Sequence, residues 1–239
     1  MLNMLNYDIY WINNSENKIR YNHMKSLLET KFSNHQCHHV EAIMHKPKYN
    51  GITISHMVSL MKGMTKGKPF LILEDDSILN EKFFNENELE EKIAGKDIDA
   101  IYLGLSSWGN MNLKKKTILK DCMKKDEKIV CINNKIFMKN GARGKDYDKY
   151  FFKISDMYGA HAILYLSTPY IIETLKYCIL AISENKPHDT YLSNLHKNYM
   201  VLGQKYPWFY QYSKIGGQET GTNINFSEIR KIESENMEE

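Results

Sequence analysis

The chain has 239 residues, of which 42% are hydrophobic and 26% are charged, and its formal net charge is +3. This composition is typical of a globular protein large enough to bury a substantial core. The small net charge gives no argument for nucleic acid or a membrane surface as a partner, so neither is expected, and no window approaches the length of a membrane span. Met1–Ile12 lacks the basic start of a signal peptide, and the four cysteines show no CxxC spacing. We therefore expect a cytoplasmic location, in the host cytoplasm if the protein is viral.

Strands and helices alternate over the first hundred residues. Hydrophobic runs and helical spacing predict strands at Tyr7–Ile12, His39–Ile43, Phe70–Leu73 and Ala100–Leu105, and helices at Glu16–Phe32, Thr53–Lys66 and Glu86–Ala94. Alternation of this kind is typical of an α/β fold, with a mostly parallel central sheet flanked by helices.

The third predicted strand ends abruptly in three carboxylates, Glu74, Asp75 and Asp76. Ligands of open α/β sheets bind at the carboxyl ends of strands, and clustered acids there suit a hard divalent cation that bridges phosphate oxygens. In a second interpretation, Asp75 or Asp76 is only the N-cap of a helix at Ser77–Asn85. The sequence alone leaves both interpretations open.

The middle of the chain, Asn110–Lys153, is rich in lysine and contains only one convincing strand, Lys128–Ile132. It is either a solvated surface insertion or a lid that closes over an anionic donor, in which Arg143 or Lys145 binds a diphosphate. Regular structure resumes with a strand in Tyr158–Ser167. Helices are predicted at Pro169–Leu180 and from Pro187 to about Lys197, and residues 227–239 form an acidic tail.

Five motifs in this order resemble glycosyltransferase family 25, which includes lipopolysaccharide-decorating and collagen-hydroxylysine galactosyltransferases. They are Ile12-Asn13, Ser55-His56, LILEDD at Leu71–Asp76, GAHAILYLS at Gly159–Ser167 and PHDTYL at Pro187–Leu192. The resemblance implies a single GT-A-like domain over residues 1–226, with the basic insertion at about 110–153.

The resemblance also implies an inverting, metal-dependent hexosyltransferase. Such an enzyme moves galactose or glucose from a UDP-sugar to a hydroxyl of a glycan, lipid-linked or protein acceptor. The implied cofactor is Mn²⁺ or Mg²⁺, and a homodimer is left open.

Site roles follow from the matching positions. Glu74 and Asp76 point the same way on an extended strand end and Asp75 the other way, so Asp76 is expected to bind the metal, Asp75 the ribose and Glu74 the donor sugar. Asp189 is expected to act as the base that takes a proton from the acceptor hydroxyl. The remaining expected donor contacts are Ile12, Asn13, His56 and His161.

Plainer interpretations accompany several of these residues. Asp189 could be only a helix N-cap, His56 a buried histidine bonded to backbone, and His161 a residue that alternates outward on a strand. His188 could be a metal ligand or a neutral residue at the surface, and the surface position is the one expected. Trp208–Tyr210 could stack on an acceptor sugar or pack as a final strand.

Two other functions are alternatives for this sequence. One is a catalytically inactive carbohydrate- or nucleotide-binding member of the same fold. The other is a metal-dependent nucleotidyltransferase, which would call for a GxxxxGK[ST] phosphate loop that the sequence lacks.

Overall fold

The computed structural model describes residues 5–105, 129–132, 135–138 and 143–211. The strands in these ranges are β1 (Asp8–Asn13), β2 (Cys37–Glu41), β3 (Phe70–Glu74), β4 (Ser77–Leu79), β5 (Ala100–Tyr102), β6 (Ile129–Ile132), β7 (Lys135–Met138), β8 (Arg143–Asp146), β9 (Phe151–Asp156), β10 (Ala162–Tyr165), β11 (Val201–Gln204) and β12 (Phe209–Gln211). The helices are α1 (Lys18–Lys31), α2 (Lys48–Met64), α3 (Glu86–Ile93), α4 (Thr168–Ser183) and α5 (Asp189–Leu195). None of these helices has the length and apolar character that crossing a bilayer requires.

Ten of the described strands form one sheet in the order β2-β1-β3-β10-β5-β11-β9-β8-β7-β6, and β4 pairs with β12 in a separate ribbon. Among the six strands from β2 to β11, β1 is parallel to β2 and β3, β10 is antiparallel to β3 and β5, and β5 is parallel to β11. Five of these six strands therefore run in one direction. The expected α/β architecture is confirmed, and antiparallel β9 to β6 make the whole sheet mixed.

The central strands are buried on both faces, which explains their continuous hydrophobic runs. In β1, Tyr10 and Ile12 belong to the core that α2, α4 and α5 cover, whereas Ile9 and Trp11 belong to the core that α1 and α3 cover. Successive side chains of a strand point to opposite faces, so each strand contributes to both cores.

Helix α1 begins immediately after β1 and the short turn that follows it. The side chain of Asn17 accepts a hydrogen bond from the backbone N–H of Arg20 at 3.3 Å, which caps the helix. The cap fixes the first turn of α1 beside the end of β1, and Arg20 belongs to that turn.

Two predicted helices differ from the structure. Helix α2 begins at Lys48, five residues before the predicted start at Thr53. The segment after the acids is not a helix, because Ser77–Leu79 is β4, paired with β12. The interpretation of Asp75 or Asp76 as the N-cap of a helix at Ser77–Asn85 is therefore wrong.

The basic middle segment lies mostly outside the described residues. Its described parts contain more regular structure than the single predicted strand, because β6, β7, β8 and the start of β9 form an antiparallel run. Phe151 and Phe152 of β9 are fully buried, so this end of the segment belongs to the core. Frequent lysines hid this strand pattern in the sequence.

The final aromatic segment packs in the interior. Trp208 is 2% exposed and Phe209 is fully buried, and Phe209 pairs with Leu79 of β4. This burial supports the packing interpretation of the segment and leaves neither of these two rings free to stack on a sugar.

Candidate functional site

A cleft of about 620 Å³ lies at the carboxyl ends of β1 and β3. These ends meet because Ile12 of β1 pairs with Glu74 of β3. Six segments line the cleft: the end of β1 with the start of α1, the residues after β2 with α2, the acids Glu74 to Asp76, the residues Tyr158 to Ala160, the residues Pro187 to Asp189, and Gln211 of β12. The structure thus brings together seven of the eight predicted site residues, which are Ile12, Asn13, His56, Glu74, Asp75, Asp76 and Asp189.

Asp75 is held by the protein through both of its carboxylate oxygens. Arg20 Nη1 donates to Oδ1 at 2.5 Å, and Asn13 Nδ2 donates to Oδ2 at 2.7 Å. Arg20 Nη2 also lies 3.8 Å from Asp76 Oδ2. Asp75 therefore ties α1 and β1 to the acidic turn.

Glu74 and Asp76 share one side of the turn, as their spacing predicts. Gln211 Nε2 lies 3.1 Å from Glu74 Oε2 and 3.3 Å from Asp76 Oδ1. His56 Nε2 lies 2.9 Å from the other oxygen of Glu74, and it donates to that oxygen when Glu74 is ionised, because an ionised carboxylate can only accept. His56 therefore bonds a side chain that lines the cleft.

The two acids share an environment that disfavours their charges. Burial, and then the charge of Asp75, raises the pKa of Glu74 to about 7. Burial, and then the charge of Glu74, raises the pKa of Asp76 to about 7. The positive charge of Arg20 acts in the opposite direction on both groups, and Lys48 does so on Glu74. A cation bound between the two carboxylates would stabilise their ionised forms.

One wall of the cleft is apolar although it is exposed. Ile43, Met44 and Ile52 are 40%, 74% and 40% exposed, and all three line the cleft. Helix α2 supplies Ile52, and the segment between β2 and α2 supplies the other two. The cleft therefore combines an acidic floor with an apolar wall, which is the arrangement of sites that orient a ligand by a few polar groups.

Asp189 is the first residue of α5, and the cap position before it is held by His188. Burial raises the pKa of Asp189, and its Oδ1 atom is buried without a hydrogen-bond partner among the described residues. The geometry does not support the interpretation of Asp189 as the N-cap of this helix.

The prediction that His188 lies at the surface is wrong. His188 is 5% exposed, its ring centroid lies 4.7 Å from that of His56, and its Nδ1 lies 3.3 Å from Thr53 Oγ1. Burial, and then the neighbouring His56, lowers the pKa of His188 to about 3. The ring of His188 therefore packs against α2, which carries Thr53 and His56.

His161 is the one predicted site residue that does not line the cleft. It is 1% exposed, so it does not alternate outward, and a Cβ at Gly104 would lie 2.2 Å from its Nε2. Its backbone is nonetheless close to the site, because the carbonyl of His161 accepts bonds from Glu74 N at 2.8 Å and Ser77 Oγ at 3.0 Å. His161 supports the acidic turn from behind.

The polar lining residues that sequence reasoning missed include Arg20, Lys48 and Gln211, which contact or act on the acids. Arg20 and Lys48 belong to helices whose polar residues look like ordinary surface positions. Gln211 lies in β12, more than 130 residues after the acids it contacts. Only the pairing of β12 with β4 brings it there, and the sequence carries no local signal of that pairing.

In the parts of the chain that the structure describes, no group of three or more His, Cys, Asp or Glu side chains is arranged to hold a metal ion. The available donors are nonetheless hard oxygens, which suit Mg²⁺ or Mn²⁺. Besides Glu74 and Asp76 they include Asn13 Oδ1, which is buried without a hydrogen-bond partner in the described residues. The donor set fits such a cation if amide or ligand oxygens complete the shell.

Comparison with protein-family models gives no match, and comparison with curated proteins gives none either. A nucleoside-diphosphate-sugar pyrophosphorylase from Vibrio cholerae RC9 is among the solved structures to which the chain is similar. The match has 9% sequence identity and a TM-score of 0.35, and it covers 82% of this chain and 70% of that chain. A likeness at this level carries no argument about activity.

Proposed function

We propose that the protein is an inverting, metal-dependent glycosyltransferase of the GT-A type. It moves a hexose, galactose or glucose, from a UDP-sugar to a hydroxyl of a glycan, lipopolysaccharide or hydroxylysine-type acceptor. The observation that carries the proposal is the meeting of three features in one cleft: the acids after β3, the exposed apolar wall and the separate carboxylate of Asp189.

Each part of the cleft suits one part of such a donor. The apolar wall of Ile43, Met44 and Ile52 offers a surface for the flat face of a uracil ring. Arg20 and Lys48 supply positive charge for a diphosphate. Asp76 would hold Mn²⁺ or Mg²⁺, which supplies positive charge where the leaving diphosphate becomes more negative.

Asp189 is suited to take the proton of the acceptor hydroxyl. It is half-buried, lines the cleft and lies on a different element from the acids after β3. A base must be ionised and yet have appreciable proton affinity. Burial raises the pKa of Asp189, which increases its affinity for a proton. One-step inversion needs such a group on the side of the sugar opposite the leaving diphosphate.

Calorimetry with UDP-galactose and UDP-glucose, with and without Mn²⁺, tests the donor and the cation together. We expect Mn²⁺ to strengthen binding in the wild type, and Asp76→Ala to remove that gain, because it deletes a metal ligand. Asp97→Ala, a change at an exposed acid outside the cleft, serves as the matched control.

Unchanged, Mn²⁺-dependent binding by Asp76→Ala would overturn the assignment of the metal ligand. A second assay follows hydrolysis across a panel of UDP- and GDP-sugars without acceptor. Release of pyrophosphate from UTP and a sugar phosphate, with no hydrolysis of any sugar nucleotide, would instead indicate nucleotidyl transfer.

A further inference from the structure

Gln211 occupies a position that no motif in the sequence marks. It is the last residue of β12, and it pairs with Ser77 of β4, directly after the acidic turn. This pairing carries its side chain over Glu74 and Asp76, where it lines the cleft.

The amide nitrogen of Gln211 lies between the two carboxylates. It is 3.1 Å from Glu74 Oε2, and 3.3 and 3.5 Å from the two oxygens of Asp76. An amide nitrogen carries two hydrogens, so it can give one hydrogen bond to each carboxylate. A neutral donor thus stands where a cation shared by Glu74 and Asp76 would be most strongly attracted.

Rotation of the amide by half a turn exchanges its nitrogen for its carbonyl oxygen without any movement of β12. The oxygen is repelled by two carboxylates alone, and is attracted once a cation lies between them. A second amide oxygen, Asn13 Oδ1, is buried without a hydrogen-bond partner in the described part of the cleft. The acids alone do not form a ready group of three ligands in the described residues, so further oxygens must complete the shell, and an amide oxygen is one that the cleft offers.

We infer that Gln211 is a ligand of the divalent cation: it donates hydrogen bonds to Glu74 and Asp76 in the metal-free protein and turns its carbonyl oxygen to the metal when the metal binds. The inference rests on the cation of the proposed function, but it does not depend on which donor or acceptor is used. It also predicts a preference for hard cations, because all the ligands are oxygens.

The test measures Mn²⁺ affinity by electron paramagnetic resonance, without nucleotide, in wild type, Gln211→Met, Gln211→Glu and Gln211→His. Gln211→Met keeps the approximate length of the side chain but lacks the oxygen, so we expect affinity to fall about tenfold or more. Gln211→Glu restores an oxygen and adds a charge, so it should bind Mn²⁺ at least as tightly as the wild type. Gln211→His replaces the oxygen by nitrogen and should shift preference from Mg²⁺ towards Zn²⁺.

The sign of the effect separates the inference from a purely structural role. If Gln211 only keeps the carboxylates together in the metal-free protein, Gln211→Met leaves nothing to displace and Mn²⁺ binds equally well or more tightly, which would overturn the inference. Gln36→Met, at an exposed glutamine outside the cleft, is the matched control. Thermal unfolding of each variant with EDTA confirms that the folded proteins are being compared.

Failure of the proposed function gives a different result. If the wild type binds Mn²⁺ through Gln211 but binds no UDP-sugar, the inference stands and the proposed glycosyltransferase function fails. If the wild type binds UDP-sugar but has no affinity for Mn²⁺, the inference about Gln211 is overturned.

Discussion

Asp189 and Asp76 illustrate how burial and neighbouring charge give different properties to carboxylates in one cleft. Asp76 lies beside Glu74 and below Gln211, whereas Asp189 lies at the start of α5. Burial raises the pKa of both. Asp76 has a carboxylate neighbour that a cation can share, and Asp189 has an unpartnered oxygen. The first environment suits a metal ligand and the second suits a base.

The base role predicts that Asp189→Asn abolishes transfer and leaves UDP-sugar binding nearly unchanged. Asparagine keeps the size of the side chain but cannot take the proton, and a general base contributes roughly two to four orders of magnitude in rate. The helix should persist, because the cap position belongs to His188. Transfer rates and donor affinity are measured in parallel on wild type and variant.

Thr190→Ala is the control, since it changes the next residue of α5 without touching a carboxylate. Transfer by Asp189→Asn within about tenfold of the wild type would show that the base lies elsewhere, with Glu74 the next residue to test.

At the residue scale, local sequence signals were enough to place the polar residues at strand ends near one another. Asn13 at the end of β1 and the acids at the end of β3 could be placed in one site because parallel strands end at one edge of a sheet. Gln211 and the burial of His188 could not be foreseen, since both depend on contacts between segments more than 130 residues apart. Such contacts leave no periodic signal in a sequence.

At the element scale, the apolar wall depends on how closely α2 approaches the segment after β2. A Cβ at Gly51 would lie 2.2 Å from the carbonyl oxygen of Ile43 and 3.0 Å from His45 N. Both contacts are with backbone atoms, which cannot rotate aside. The glycine therefore sets the distance between the helix and the wall.

We expect Gly51→Ala to destabilise the fold by about 1–3 kcal/mol, because the helix must move away from backbone it now touches. The same movement displaces Ile43 and His45, which line the cleft, so UDP-sugar affinity should fall as well. Urea unfolding and calorimetry measure the two effects.

Gly63→Ala is the matched control on the same helix. Its Cβ would meet the ring of Phe70 at 2.5 Å, in the core and away from the cleft lining. It should also destabilise the protein, but it should leave donor affinity unchanged in the folded state. Equal loss of affinity in both variants would mean that the close approach at Gly51 has no specific role in the cleft.

The elements themselves were largely predictable because hydrophobic runs and helical spacing are local signals. The helix at α1 and the strands β1 and β3 lie within about two residues of their predicted ends. β4 was missed because a three-residue strand has too little sequence to show alternation. β8 was missed because Arg143–Asp146 contains no hydrophobic residue, and β7 was missed because its three hydrophobic residues are too few to show alternation.

At the scale of the whole molecule, the buried histidines and the two cleft acids have opposite effects on how stability depends on pH. Burial lowers the pKa of His56 and His161 to about 4 and that of His188 and His196 to about 3. The unfolded chain takes up protons on these groups below about pH 6.5, so they reduce stability as the pH falls. Glu74 and Asp76 act in the opposite sense, because their folded pKa values are raised.

For the two acids the folded state holds protons that the unfolded chain has lost, from about pH 4 up to about pH 7. Their contribution to stability therefore falls as the pH rises through this range, and the whole penalty is present above pH 7. The negative charge concentrated on these acids therefore lowers the stability of the metal-free protein above pH 7, and the rest of the fold must compensate.

Asp76→Asn should accordingly stabilise the metal-free protein at pH 8, on the order of 1–3 kcal/mol, because it removes a buried charge and relieves Glu74. The advantage should shrink as the pH is lowered towards 4, where the carboxyl group is neutral in the folded state and is becoming neutral in the unfolded chain. Urea unfolding with EDTA across this range measures the difference, and Asp97→Asn, at an exposed acid, shows what a change of net charge alone does. A wild type more stable than Asp76→Asn at pH 8 would mean that Arg20 and Gln211 already compensate the charge, and that the acidic turn is built for stability and not for a cation.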